Sequence, residues 1–317
     1  VAPALAVGCT VVLKPAEDTP LSALALAYLA EKAGFPPGVF NVITTNNPQN
    51  IGEILTKSPK IKKISFTGSS EVGKILIKQS SSTVKKLSME LGGNAPFIIF
   101  DDADIDSAVE GVMLSKFRNS GQTCICANRI YVQEGIYKLF LEKFISKVKN
   151  QKLGSGLDPS VEIGPLINKK ATNKVLKILD DALSKGAKIL LGGKKHSKGD
   201  NFIEPTIVTN ISDNMLICSA EIFGPVAAIY SFDDEKEIIK TANNSRAGLA
   251  AYFYGKDNSK IWRTAEALEY GMVGVNTGFI STNLAPFGGV KESGYGREGS
   301  KYGINEYIVL KYICMKI

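Results

Sequence analysis

Short apolar runs alternate with amphipathic stretches along the first ninety residues. TVVLKP (10–15) reads as a short buried strand. DTPLSALALAYLAEKAGF follows as a helix, with Thr19 as N-cap, Pro20 at the first helical position and Gly34 as its stop. GVFNVIT is a strand, NIGEILTK a short helix, IKKISFTG a strand, SSEVGKILIKQSS a helix and VKKLSMEL a strand. This βαβα order predicts parallel strands with helices on both faces.

A second α/β region begins near GGNAPFIIF. A helix is expected from about Asp104 to Lys116, then the stretch SKFRNSGQTCICANRIYV, with a strand at NRIYVQ and a long helix at YKLFLEKFISKVKN. AKILLGG, AAIYSF, LAAYFYG and MVGVN continue as strands, with helices at EKEIIKTANNS and IWRTAEALEYG. The glycine-rich APFGGVKESGYGREGSKYG then separates a last expected strand, INEYIVLKYICM. The expected boundaries are 1–92, 93–290 and 291–317.

The length of 317 residues favours two domains over one. The chain opens on VAPALAVGCTVVLKP, which reads as the end of a helix running into a strand, so residues are expected upstream. No charged-then-apolar leader and no apolar run of membrane-spanning length is visible. The net charge of +7 raises the question of an acidic partner. Of the basic residues 33 are Lys and five are Arg, scattered over polar helix faces without interleaved aromatics. That is a solvated surface, and neither nucleic acid nor membrane is an expected partner. Five widely spaced cysteines do not form a disulfide framework and fit a reducing compartment. With a single histidine and no CxxC pair, no structural zinc is expected.

Three stretches carry candidate chemistry. FTGSSEVGK sets Gly68 and Gly73 between a strand and a helix, where unpaired N–H groups and the helix dipole favour a phosphate. Its spacing also fits a P-loop, but Ile75 stands where Mg²⁺ binding needs Ser or Thr. LKPAE puts Lys14 and Glu17 at the carboxyl end of a strand, where a carboxylate can accept ribose hydroxyls and repel a 2′-phosphate. Cys124 and Cys126 are candidate thiols, and each can equally be a packing residue. His196 lies in the polar turn GGKKHSKGD, so general-base work falls to a carboxylate; Glu90 of MELGG, in partly apolar surroundings, suits it.

KPAEDTP, FTGSSEVGK, MELGGNAPF, GQTCICANR, AEIFGPV and PFGGVKESGYGREGSKYG together resemble the aldehyde dehydrogenase superfamily, in its order and spacing across essentially the whole chain. KFRNSGQTCICANR, GFISTNLAPFGG and the ending KYICM resemble its succinate-semialdehyde group. The resemblance implies an α/β fold: part of a Rossmann-type NAD-binding domain, an α/β catalytic domain and a C-terminal oligomerisation strand. It implies Cys124 as nucleophile and Glu90 as base. Lys14 and Glu17 would contact the adenosine ribose, Gly68 and Ser69 the pyrophosphate, and Glu221 and Phe223 the nicotinamide ribose and ring. Arg118 and Ser281 would hold the distal carboxylate of the aldehyde. The cofactor is expected to be NAD, favoured by Glu17, with NADP open.

The same resemblance places three features before Val1: the first half of the dinucleotide fold, an oxyanion-hole asparagine and a second carboxylate-binding arginine. The 317-residue chain alone is therefore expected to be poorly active or poorly folded. Ala220 departs from the family, where a second acidic residue often precedes EIFGP. A homodimer or homotetramer is expected, in the cytoplasm or the mitochondrial matrix. Cys126 is a packing cysteine or a redox partner of Cys124. Three other readings stay open: a glutarate-semialdehyde dehydrogenase, a P-loop module, or an inactive oligomerising fragment.

Overall fold

A computed structural model describes residues 1–317, and its chain divides into two units. The first comprises Val1–Glu90, Thr282–Gly288 and Gly294–Ile317; the second comprises Leu91–Ser281 and Gly289–Ser293. No helix is long and apolar enough to cross a membrane.

The first unit runs α1 (Ala2–Ala6), β1 (Val11–Leu13), α2 (Leu21–Lys32), β2 (Phe40–Val42), α3 (Pro48–Lys57), β3 (Lys63–Thr67), α4 (Ser70–Ser80) and β4 (Lys86–Glu90). β1 pairs parallel with β2, and β3 parallel with β4. A two-residue return strand, Gly294–Tyr295, lies antiparallel on the free edge of β4. α2 starts at Leu21, one residue later than expected, and Thr19 does not cap it. Pro20 already has helical dihedrals and its carbonyl accepts the Leu24 N–H, so the boundary differs while the turn does not. Gly34 is the stop because its φ of +85° lets Phe35 N–H reach back to the Ala30 carbonyl and Gly34 N–H to that of Glu31.

The second unit runs β5 (Ala95–Ile99), α5 (Ile105–Phe117), β6 (Ala127–Gln133), α6 (Glu134–Lys149), α7 (Lys169–Ser184), β7 (Lys188–Leu191), β8 (Thr206–Thr209), α8 (Leu216–Ser219), β9 (Val226–Phe232), α9 (Glu235–Asn243), β10 (Ala247–Gly248), β11 (Ala250–Tyr254), α10 (Asn258–Ala267) and β12 (Met272–Val275). Seven strands form one sheet in the order β12-β11-β5-β6-β9-β8-β7, parallel throughout except for the β7–β8 pair. Every residue of β5 and β11 is buried, as central parallel strands covered on both faces require. Phe97 stacks on Tyr252 and Tyr254 at 5.5 Å. α5 begins where expected because Asp104 accepts the Ser107 N–H.

One expected element is corrected. INEYIVLKYICM is not a strand: Gly303–Tyr307 is a 3₁₀ turn, and the residues beyond it pair with no strand of the chain. Its β-branched residues favour an extended backbone, but a strand also needs an edge that supplies N–H and C=O partners.

Candidate active site

In the first unit the candidate residues gather at the carboxyl ends of parallel strands. Lys14 and Glu17 follow β1, Thr44–Asn46 follow β2, and Gly68 and Ser69 follow β3. A cavity of about 260 Å³ is lined by Pro15, Ala16, Glu17, Pro20 and Thr44–Asn46. The Lys14 ammonium bonds the Glu17 carboxylate and holds its pKa below the usual carboxylate range. Ser69 is the N-cap of α4, its hydroxyl accepting the Val72 N–H. The P-loop spacing does not form a phosphate-wrapping loop: the helix starts at Ser70, so Gly73 lies inside its first turn.

Glu90 ends β4 and is buried, 4% exposed. Its carbonyl accepts the Gly68 N–H at 3.0 Å, which links the base candidate to the β3–α4 turn. One carboxyl oxygen has no hydrogen-bond partner. Burial, aided by the Glu298 carboxylate and opposed by Arg297, pushes its pKa up to about 8. Gly288 leaves room for this carboxyl: a Cβ there would stand 3.0 Å from Glu90 Oε1.

The second unit uses the opposite ends of its strands. Gly92–Asn94 lead into β5, Cys124–Cys126 into β6 and Glu221–Pro225 into β9. These strands are neighbours and parallel, so all three loops meet at one amino edge of the sheet. The Glu221 carboxylate accepts the Gly93 N–H at 3.0 Å. Gly93 packs so closely on the cysteine loop that a Cβ would lie 2.0 Å from the Cys124 carbonyl oxygen. Tyr252 hydroxyl donates to the Ile125 carbonyl at 2.8 Å, anchoring the residue after the nucleophile candidate. Cys124 is half-buried and Cys126 buried, and neither is in a disulfide. The Cys126 thiol donates to the Lys116 carbonyl at 3.5 Å.

The approach to Cys124 is strained. Asn119, Ser120 and Gly121 have φ of 52°, 57° and 75° in succession, and Phe223 has 55°. A Cβ at Gly121 would lie 2.2 Å from the Gly224 carbonyl oxygen, so the cysteine loop and the EIFGP loop are in backbone contact. Arg118 begins this turn, half-buried, with its guanidinium 5.1 Å from the centre of the Phe279 ring. No carboxylate of the chain pairs with it. Ser281, two residues beyond Phe279, is half-buried and makes no direct bond to Arg118.

Sequence reasoning missed Phe279 and the buried pair Asn94 and Asn128. Asn128 Nδ2 donates to Asn94 Oδ1 at 2.7 Å. Both asparagines sit within four residues of an expected site residue, and that proximity was the only signal available.

The chain belongs to the aldehyde dehydrogenase family, whose model matches residues 1–313. It is 59% identical over 315 residues to a mitochondrial succinate-semialdehyde dehydrogenase of Oryza sativa subsp. japonica, covering 99% of this chain and 60% of that protein. It is 56% identical over 315 residues to a 3-sulfolactaldehyde dehydrogenase of Pseudomonas putida, covering 99% and 65%. The fold superposes on the crystal structure of an NADP-dependent enzyme of E. coli with a TM-score of 0.98 at 55% identity, covering 99% of this chain and 65% of that one. The chain thus spans under two thirds of the length of each.

Proposed function

We propose that the enzyme containing this chain oxidises succinate semialdehyde to succinate, with NAD or NADP as acceptor. The observation that carries the substrate choice is Arg118: a half-buried guanidinium, oriented over Phe279 and unpaired with any carboxylate of the chain, six residues before Cys124. A guanidinium so placed can take a carboxylate bidentately, while the Phe279 face limits its rotation. The relatives support an aldehyde carrying an anion, since succinate semialdehyde and sulfolactaldehyde both do.

Each unit offers groups that suit part of a nicotinamide dinucleotide. In the first, the Glu17-lined cavity suits the adenosine ribose and the N-terminus of α4 at Ser69 suits the pyrophosphate; in the second, Glu221 suits the other ribose. When bound, the nicotinamide supplies the hydride acceptor. The Cys124 thiolate attacks the aldehyde carbon and forms a thiohemiacetal, whose oxyanion the Cys124 backbone N–H can stabilise. Loss of hydride leaves a thioester on Cys124. Glu90 takes a proton from water, the resulting hydroxide attacks the thioester carbonyl, and Cys124 leaves as thiolate with release of succinate.

Five free cysteines fit the cytosol or the mitochondrial matrix. The exposed Val309, Leu310, Tyr312 and Ile313 support a C-terminal arm that pairs with another subunit of a dimer or tetramer. Glutarate semialdehyde is the second reading, because one methylene changes pocket discrimination by only about 1–3 kcal/mol. Rapid quenching of the complete Glu90→Gln enzyme after mixing with succinate semialdehyde and cofactor tests the function. Mass spectrometry should find a succinyl group on the Cys124 peptide. Turnover by the wild type with no such adduct in the variant would refute the thioester route.

A further inference from the structure

Asn128 stands at the start of β6, four residues after Cys124, and is 2% exposed. Nδ2 donates to the Ala220 carbonyl at 2.8 Å and Oδ1 accepts the Ile222 N–H at 3.2 Å. Those two backbone groups flank Glu221, so one side-chain amide brackets it as a neighbouring strand would. The second hydrogen on Nδ2 goes to Asn94 Oδ1, whose own amide donates to the Cys218 carbonyl at 3.2 Å. Gly93, beside Asn94, bonds the Glu221 carboxylate. Glu221 is thereby held by main chain and side chain from the loops that enter β5 and β6.

Asn94 is itself fixed. Its carbonyl accepts from Nε and a terminal nitrogen of the buried Arg129, at 3.3 and 3.0 Å. The remaining Arg129 donors meet the Thr241 and Ala242 carbonyls at the end of α9 and the Tyr131 and Tyr270 hydroxyls. No carboxylate completes this cluster: four of its hydrogen bonds hold backbone carbonyls and two go to tyrosine hydroxyls. An amide is the side chain that can donate twice and accept once in this geometry; a carboxylate would face the Ala220 carbonyl and the Asn94 oxygen with no hydrogen to give.

We infer that Asn128 is a positioning residue for cofactor use: its amide sets the backbone on both sides of Glu221 and so places the carboxylate that receives the nicotinamide ribose. This rests on the reading of Glu221 proposed above.

The test uses the complete enzyme and four forms: wild type, Asn128→Ala, Glu221→Ala and the double variant. Asn128→Ala should raise the cofactor Kd about tenfold and enlarge the deuterium isotope effect on kcat with aldehyde-deuterated succinate semialdehyde, because misplaced nicotinamide slows hydride transfer. The double variant should be within about twofold of Glu221→Ala, since both act through one carboxylate. If Glu221→Ala shows these effects and Asn128→Ala does not, the inference is overturned and the cofactor reading stands. Additive effects in the double variant also overturn it. If Glu221→Ala itself leaves both readouts unchanged, the cofactor reading fails and takes the inference with it. Should Asn128→Ala not fold, the isosteric Asn128→Asp decides. Burial at this position raises a carboxyl's pKa, so the variant's cofactor Kd relative to wild type should fall as pH drops from about 8 to about 6, where a protonated carboxyl regains one of the two donors. A ratio independent of pH overturns the inference.

Discussion

The Lys14 ammonium lies 2.5 Å from the Glu17 carboxylate and 2.6 Å from the Pro15 carbonyl. A free carboxylate at this position would repel a 2′-phosphate. Here its charge is offset by the lysine, which can itself face that phosphate, so the preference for NAD expected from Glu17 alone is weakened. Glu17→Gln should raise the ratio of kcat/KM for NADP to that for NAD by about fivefold, the size expected of an exposed charge pair. Lys14→Met should lower the ratio by a similar factor. Assays with both cofactors at low and high salt check this; ratios unmoved in both variants would remove the pair from cofactor choice.

Glu90 links stability to pH with a definite sign. Burial raises its carboxyl pKa from 4.5 to about 8, so the folded state holds the proton more tightly than the unfolded chain. That contribution to stability is complete below about pH 4.5 and is lost as pH climbs to about 8. Glu90→Gln cannot lose it. Its Tm relative to wild type should rise across that window and level off above it. The base role proposed for Glu90 needs the opposite form: under that proposal hydrolysis should accelerate with pH and reach half its maximum near pH 8. With Glu90→Gln, one equivalent of reduced cofactor should appear per active site before turnover stalls. Sustained turnover at the wild-type rate would remove Glu90 as the base.

Arg118 makes a prediction about substrates. Arg118→Ala should raise KM for succinate semialdehyde steeply, with a loss of about 2–5 kcal/mol in kcat/KM, and leave propanal within about twofold. Phe279→Ala should show a smaller loss of the same selectivity, because it frees the guanidinium without removing it. Equal effects on both aldehydes would show that Arg118 supports the loop and does not read a carboxylate.

What the sequence disclosed followed its local chemistry. The Gly34 stop and the start of α5 near Asp104 depend on residues within one turn; the stop forms as read, and the helix starts there because Asp104 caps it. The central strands β5 and β11 announce themselves as unbroken apolar runs. β8, a buried strand between β7 and β9, is not legible in the sequence: TIVT is four residues long and its partners lie elsewhere in the chain. Asn94 and Asn128 were likewise illegible, since a buried amide looks like a loop residue until the backbone it satisfies is in place. The C-terminal segment failed for the converse reason: its strand-forming residues are present and no edge within the chain meets them.

Gly93 tests the geometry of the amino edge. A methyl at this position would meet the Cys124 carbonyl oxygen at 2.0 Å, and backbone cannot swing aside as a side-chain tip can. Gly93→Ala should therefore shift the Cys124 loop, lowering kcat about a hundredfold at a stability cost of about 1–3 kcal/mol. Gly156→Ala is the control, because nothing lies within 4 Å of its added methyl. Kinetics and thermal melts of both variants decide. A Gly93→Ala enzyme with wild-type kcat would show that Cys124, the proposed nucleophile, tolerates displacement of its carbonyl.

Cys124 and Cys126 have separable fates. The Cys126 thiol is buried and bonded to the Lys116 and Ala127 carbonyls, while Cys124 is half-buried. Cys124→Ala should abolish turnover, and Cys126→Ala should retain it within about twofold, since it removes one small buried atom. Oxidation distinguishes packing from redox pairing. Peroxide converts the Cys124 thiolate to a sulfenic acid; attack by the Cys126 thiol would release water and close a disulfide. With one residue between them that bond would be strained and readily reduced. In the wild type, peroxide inactivation should then be reversed by dithiothreitol, and in Cys126→Ala prolonged peroxide should carry Cys124 on to irreversible acids. Equal recovery in both forms would leave Cys126 with packing alone, its thiol committed to the end of α5.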